Sequence, residues 1–350
     1  MPMTSRERVF AAIDHRPTDR MPADFGADAG VAKAVMARLG VADNDAMLEA
    51  LHIDFRAIPA PYGQPDTGPD AEGYIRNMWG LLRRPTDPGD GKPQVICPFN
   101  EDTTVDEVHA HRWPDAGVLD FSAVRASCNR DHDRYVTVGA PWSPFFHEVG
   151  WLIGQENLFI WMVTRPDLVH AIIGHFVDYE IEATRRFFEA AAGGVDIAYV
   201  GNDFGSQRGL VFSPAMWQEF YRQPLKRYFD IAHDFGCRVM QHSCGAVREL
   251  IPSWIEDGVD MLDPVQVLAD GMGLEGLVRD FGDRITFHGG LDTQQLMPYG
   301  TTADVRATVR RYRDLTRDRG GYVLTGSQSF IEDIPVDNIL AAYDENVRYA

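Results

Sequence analysis

Past about residue 134 the chain alternates two patterns. Short runs of mostly apolar residues ("RYVTVGAP", "VDIAYVGND", "CRVMQHSCG", "VDMLDPV", "RITFHGG", "GYVLTGSQS") are each followed by a longer stretch with apolar residues three and four apart. The first pattern predicts buried strands and the second amphipathic helices. Long helical stretches such as "PDLVHAIIGHFVDYEIEATRRFFEAAAG" and "SPAMWQEFYRQPLKRYFDIAHDFG" close at a glycine, the residue preferred just past a helix end. Nearer the start, "SRERVFAAIDH" predicts a leading helix with Val9, Phe10 and Ile13 on its apolar face. "RPTDRMPADFG" follows as a short first strand and "IDFRAIPAPYG" as a second, separated by the helical "VAKAVMARLG" and "AMLEALH".

Eight strand candidates result, six of them in strict alternation with helices. Runs such as "IAYV" and "YVL" are apolar on both faces, as strands of a parallel sheet are. Closing eight of them gives an α/β fold, a (β/α)8 TIM barrel, with residues 1–350 as a single domain. An open doubly wound sheet is the alternative, but no G-x-G-x-x-G follows the first strand. Residues 64–133, rich in Pro, Gly and Asp, break the rhythm. They read as an irregular insertion over one barrel face, with Tyr74, Met78 and Trp79 placed to cover the mouth or a partner.

A formal net charge of −19 with no basic stripe excludes a nucleic-acid partner and disfavours a polyanionic ligand. No apolar run approaches the ~20 residues that span a bilayer, so no membrane partner is expected, and the start lacks a signal-peptide stretch. The expected location is the cytoplasm. Cys97, Cys128, Cys237 and Cys244 show no disulfide-framework spacing and read as reduced thiols.

Active sites of such barrels lie at the carboxyl ends of the strands, which makes the polar residues just past each strand the candidates. They are Asp24, Asn202, Asp203, His242, Cys244, Asp263, Gln266, His288, Asp292, Ser327 and Gln328. Taken singly each fits a turn or a helix cap, Asp203 and Asp292 especially. Taken together they line one mouth. His242 and Cys244, two apart on an extended segment, leave the same face, and an imidazole with a thiolate suits zinc. The bland alternative is a hydrogen-bonded histidine beside a half-buried thiol. Trp142, Phe145 and Phe146 near His147 read as core or lid packing, or else as the apolar wall of a pocket with His147 as its polar contact. Trp217, Phe220 and Tyr221 read as helix-on-barrel core.

Several segments, in order, resemble the uroporphyrinogen decarboxylase superfamily: "RERVFAAIDHRPTDRMP", "DFGSQRGLVFSPAMWQEFYRQPLKRYFDIAHDFG", "QHSCGAVRELIPSWIEDGVDMLDPVQ", "FHGGLDTQQLMPYGT" and "IPVDNILAAYDE". The decarboxylases proper carry an arginine-rich "RQAGR" after strand one and an aspartate in "FSD" after strand two. Here "PADFGADAG" and "AIPAPYG" stand there instead, which argues against uroporphyrinogen as substrate. The H-x-C-G pattern is closer to the zinc-dependent, corrinoid-linked methyltransferase branch. That resemblance implies zinc on His242 and Cys244 and a corrinoid carried by a partner protein, while resemblance to the decarboxylase type implies a homodimer. The branch's later cysteine ligand falls at or beside Gln328, so a third donor has to come from Asp203, His288 or another carboxylate. Fewer thiolates make a more Lewis-acidic zinc.

The expected activity is a zinc-dependent methyltransferase or demethylase that moves a methyl group between a small methylated substrate and a corrinoid protein or small acceptor. Asp203 and His288 are the expected catalytic residues, and Asp24, His147, Asn202, Gln266, Asp292 and Gln328 the expected substrate contacts. The alternative is a metal-free decarboxylase or lyase acting on a small organic acid with Asp203 and His242 as its polar pair. A binding protein that has lost catalysis is the third reading.

Overall fold

The computed structural model describes residues 2–85, 94–141 and 145–350. Ten strands are present among them: β1 (Phe55–Ala57), β2 (Ile75–Arg76), β3 (Leu82–Arg84), β4 (Gln94–Ile96), β5 (Val136–Val138), β6 (Ile197–Gly201), β7 (Arg238–His242), β8 (Met261–Asp263), β9 (Thr286–His288) and β10 (Tyr322–Val323). Seven form one curled parallel sheet in the order β1-β5-β6-β7-β8-β9-β10, with helices in the connections. The first expected strand is not a regular one. It is reduced to isolated bridges, Ala23 to Leu324 and Ala27 to Phe330. Its backbone nevertheless bonds to both ends of the sheet: Asp24 N–H donates to the Leu324 carbonyl at 3.0 Å, and Asp54 N–H, next to β1, donates to the Ala23 carbonyl at 2.9 Å.

Side chains alternate along a strand, so one residue in two faces the inside of the curl. Phe55, Val136, Ile197, Met240, Met261 and Val323 form that inner layer near the amino ends. Val9 and Ile13 of the leading helix Ser5–Ile13 pack among them from below. The helix starts on a reciprocal cap in which Thr4 and Glu7 each satisfy the other's backbone N–H. Its Arg8 reaches a buried carboxylate, Asp54, which also binds Arg20 and accepts from Ala23 N–H at 3.0 Å. A larger apolar layer lies between sheet and helices, and takes in Phe145, Phe146, Trp217, Phe220 and Tyr221. Trp142 lies outside the described residues.

Two segments differ from the pattern's expectation. Residues 213–236 form two helices, Pro214–Phe220 and Arg222–Asp234, separated at Tyr221. Pro224 is the reason, since it has no N–H for the Phe220 carbonyl and its ring crowds that turn. Residues 64–133, left without regular elements by their polar pattern, hold the small antiparallel sheet β2-β3-β4 and the helices Val105–Ala110 and Val124–Asp131. Trp79 is buried there within its own chain, stacked on Phe176 of the long helix Pro166–Ala191 with ring centroids 3.6 Å apart.

Candidate active site

Moving two residues along each strand keeps a side chain on the inner face and raises it one layer toward the carboxyl end. From Ile197 that step reaches Tyr199, from Met240 His242, from Met261 Asp263 and from Val323 Thr325. These four help line a cavity of about 270 Å³, with Asp24, His288 and Gln328 also on its wall and Phe25, Phe55, Val138 and Met240 as its apolar part. The volume is at the small end for a ligand pocket.

Asp203, His242 and Cys244 come together, each offering one donor atom within 4.8 Å of the others. His242 and Cys244 share a face because β7 is still extended there. Ser243 between them turns the other way and is fully buried, its Oγ accepting from Phe204 N–H at 2.9 Å. Asp203 arrives from the loop after β6. Its Oδ1 accepts from Cys244 N–H at 2.9 Å and lies 3.2 Å from His242 Nε2, while Cys244 Sγ lies 3.5 Å from the same nitrogen.

The other ring nitrogen of His242 is held from behind. Nδ1 lies 2.8 Å from Asp263 Oδ2, and the Tyr199 hydroxyl donates to that oxygen at 2.7 Å. Asp263 Oδ1 lies 2.6 Å from His288 Nδ1, and His288 Nε2 lies 3.1 Å from Asp24 Oδ2. Carboxylate and imidazole therefore alternate from Asp24 through His288, Asp263 and His242 to Asp203.

The electrostatics follow from that alternation. Burial pushes both imidazoles down, but the flanking carboxylates reverse it: His242 is raised well above the ordinary range, and His288 is raised to about 10. Burial likewise pushes Asp263 and Asp203 up, and their imidazole partners hold both well below the usual carboxylate range. Burial and the Asp263 charge keep the Tyr199 phenol protonated. His147, driven down by burial, accepts from Asp203 N–H at Nε2, 3.2 Å away.

The remaining expected contacts have defined places. Gln266 Oε1 accepts from Gly245 N–H at 2.7 Å and so holds the loop that carries Cys244. Gln328 Nε2 donates to Cys244 Sγ at 2.9 Å. Asn202 is buried, with Oδ1 accepting from Phe146 N–H at 2.8 Å. Asp292 caps the turn after β9, accepting from Gln294, Gln295 and Leu296 N–H. Asn202, Asp292, Gln266 and His147 are not among the described residues that line the cavity, and of the three donors only His242 is. Tyr199 has no counterpart among the residues expected from the pattern. Its only sequence signal is its place two positions after Ile197 on the strand that leads to Asp203.

One nitrogen, one oxygen and one sulfur donor suit a borderline ion such as zinc, and three protein donors leave the fourth place of its usual tetrahedron for an outside ligand. The second carboxylate behind the histidine is the common companion of such a ligand, fixing its ring and tautomer.

Residues 99–348 match the protein family described as uroporphyrinogen decarboxylase (URO-D). Over 160 residues the chain is 26% identical to a methylated-thiol–coenzyme M methyltransferase of Methanosarcina mazei. That stretch covers 46% of this chain and 40% of the relative, so the chain spans less than half the length of the curated relative it matches. Among solved structures, a methyltransferase from Methanosarcina mazei superposes with a TM-score of 0.64 at 16% identity, over 99% of both chains, which is a likeness of fold.

Proposed function

We propose, for a chain that belongs to the uroporphyrinogen decarboxylase family, a zinc-dependent methyltransferase acting on a small methylated substrate. The observation that carries this reading is the convergence of Asp203, His242 and Cys244 at the carboxyl end of the sheet. The methyltransferase name of its Methanosarcina relative supports it. We take the segment around Ala23, bonded to both β10 and the start of β1, as the eighth stave of a closed (β/α)8 barrel, and residues 1–350 as one domain around it. The partner in this reading is a corrinoid protein or a small methyl acceptor.

A zinc ion held by these three residues would supply Lewis acidity toward the heteroatom that bears the methyl group. The protein's own groups do the rest. Asp263 and Tyr199 fix the His242 ring so that Nε2 faces Cys244 and Asp203. When the methyl group leaves without its bonding electrons, the heteroatom keeps the pair and needs a proton. His288, in the cavity wall and protonated between Asp24 and Asp263, is the group placed to hold one. Phe25, Phe55, Val138 and Met240 keep water from the rest of the cavity. Asp24 and Asp263 on the same wall disfavour an anionic substrate.

A second reading, a metal-free decarboxylase or lyase on a small acid, is favoured by one observation. His242 and His288 already alternate with carboxylates in a continuous hydrogen-bonded chain of acids and bases. Metal analysis separates the two. About one zinc per chain, lost in His242→Ala and Cys244→Ala, is the expected result, together with methyl transfer from one of a panel of methylated small molecules to a corrinoid acceptor. Full activity in metal-free protein would overturn the proposal.

A further inference from the structure

The described part of the metal-competent group contains one sulfur, Cys244 Sγ, and that sulfur has a hydrogen-bond donor of its own. We infer that the Gln328 side-chain amide is built in to donate to the Cys244 sulfur and so lowers the electron donation of the site's one thiolate to a bound metal. This rests on the reading of Asp203, His242 and Cys244 as a metal centre.

The geometry behind the donor is fixed rather than incidental. Gln328 Nε2 is 2.9 Å from Sγ. The residue before it, Ser327, is buried, donates its N–H to the Leu291 carbonyl at 2.7 Å, and bonds through Oγ to Thr293 N–H at 3.2 Å and to Thr293 Oγ1 at 3.1 Å. At Gly326 the chain turns so tightly that an added Cβ would lie 2.4 Å from the Gln328 carbonyl oxygen. The amide is thus carried on a turn pinned to the loop after β9, and its only freedom is rotation of its own side chain. With the thiol deprotonated, the amide oxygen facing sulfur would set two electron-rich atoms against each other, which leaves the N–H as the group that belongs there.

An uncharged N–H donor stabilises the sulfur lone pairs without cancelling the charge. The metal then receives less electron density, stays more electrophilic, and prefers an oxygen- or nitrogen-centred outside ligand to a second soft sulfur. Gln328 is in this account a positioning residue that acts through Cys244, and the substrate class it selects is a methylated oxygen or nitrogen compound.

Cobalt(II) titration of the purified protein tests this without any turnover, because a thiolate bound to cobalt gives a near-ultraviolet sulfur-to-metal charge-transfer band. The wild type is expected to take up one cobalt and show the band. Gln328→Leu is expected to keep the stoichiometry and move the band to longer wavelength, since the undonated sulfur lone pairs lie higher in energy. Gln328→Ala, which removes the N–H and adds no group that binds a metal, should move it in the same direction and serves if the leucine variant does not fold. A band in the same place in wild type and in both folded variants overturns the role of Gln328 while leaving the metal centre standing. No cobalt uptake by the wild type overturns the metal reading, and this inference with it.

Discussion

Gly205 and Gly245 meet backbone to backbone. A Cβ on Gly245 would lie 2.4 Å from the Gly205 carbonyl carbon, and one on Gly205 would lie 2.5 Å from the Cys244 carbonyl oxygen. This contact lets the loops after β6 and β7 touch, with Ala246 N–H donating to the Ser206 carbonyl at 2.7 Å, and so brings Asp203 to the His242 and Cys244 side chains. Gly245 also has φ +84°, which a side chain resists. Gly245→Ala should therefore part the loops and weaken metal binding by at least roughly 10-fold, the scale of losing a supporting contact at a metal site. The circular dichroism of the fold should stay as it is. Unchanged affinity in a competition titration would remove the contact from the account.

Asp203 and Asp263 should behave differently when each becomes asparagine. Asp263 reaches the donor group only through the back of the His242 ring, so Asp263→Asn should cost about 10- to 100-fold in zinc affinity, the usual price of a supporting carboxylate. Asp203 offers its own oxygen to the donor group, and Asp203→Asn should cost more. Zinc affinities against a chromogenic chelator give the order, and a larger loss in Asp263→Asn would reverse the assignment.

Glu148 is buried beside the Tyr62 hydroxyl, 3.4 Å from it, with no ion pair to a cation among the described residues. Burial raises its carboxyl from 4.5 to about 7, and burial, with the Glu148 charge behind it, raises that of Glu180 on the long helix well above the ordinary value. The folded chain then holds a proton that the unfolded chain releases above pH 4.5. The share of stability contributed by Glu148 should fall as pH rises from about 4.5 to about 7, by roughly 3 kcal/mol for a shift of this size, while the falls from Glu180 and His288 continue above. Glu148→Gln should flatten that fall and be more stable than wild type at pH 8. Urea midpoints between pH 5 and 8 provide the check, and parallel curves for the two proteins would count against it.

Asp54 is fully buried and holds two guanidiniums, Arg8 at 2.7 Å and Arg20 at 2.8 Å. Asp54→Ala leaves Arg20 without its counter-ion and Arg8 with Asp19 alone, and a loss of about 3–5 kcal/mol is expected from breaking a buried pair on one side. The same carboxylate accepts from Ala23 N–H, so the segment bearing Asp24 should loosen as well. Denaturant unfolding measures the first effect and amide exchange at Ala23 the second. A loss under about 1 kcal/mol would show the network to be replaceable.

The repeating strands after residue 134 are legible because a parallel strand buried on both faces leaves a short apolar run that little else produces. His242 and Cys244 are legible as a pair because alternation alone puts residues two apart on one face. Tyr199 is not: inside "IAYV" it reads as one more core side chain, and only the sheet register, which sets Tyr199 beside Met240 and Met240 beside Met261, brings its hydroxyl to Asp263. The third donor stays open in sequence because the approach of Asp203 depends on two glycine loops touching. The strands of residues 64–133 are two or three residues long, too short for an alternating pattern to show. What anchors that region is a tertiary contact, Trp79 on Phe176, between residues far apart in the chain.

The placement of the segment around Ala23 between the two ends of the sheet has a consequence for how the protein is made. Asp24 leaves the ribosome roughly 300 residues ahead of Gln328, which at ~5–20 residues per second is a wait of about 15–60 s. Through that interval the Leu324 backbone that bonds this segment does not yet exist, and the growing sheet has an unpaired edge that can recruit another nascent chain. Asp24, His288 and Gln328 can face one cavity only after translation has passed the last strand. A chain stalled or cut before that point is left with Asp203, His242 and Cys244 but no far wall, open to water and to the wrong ligands.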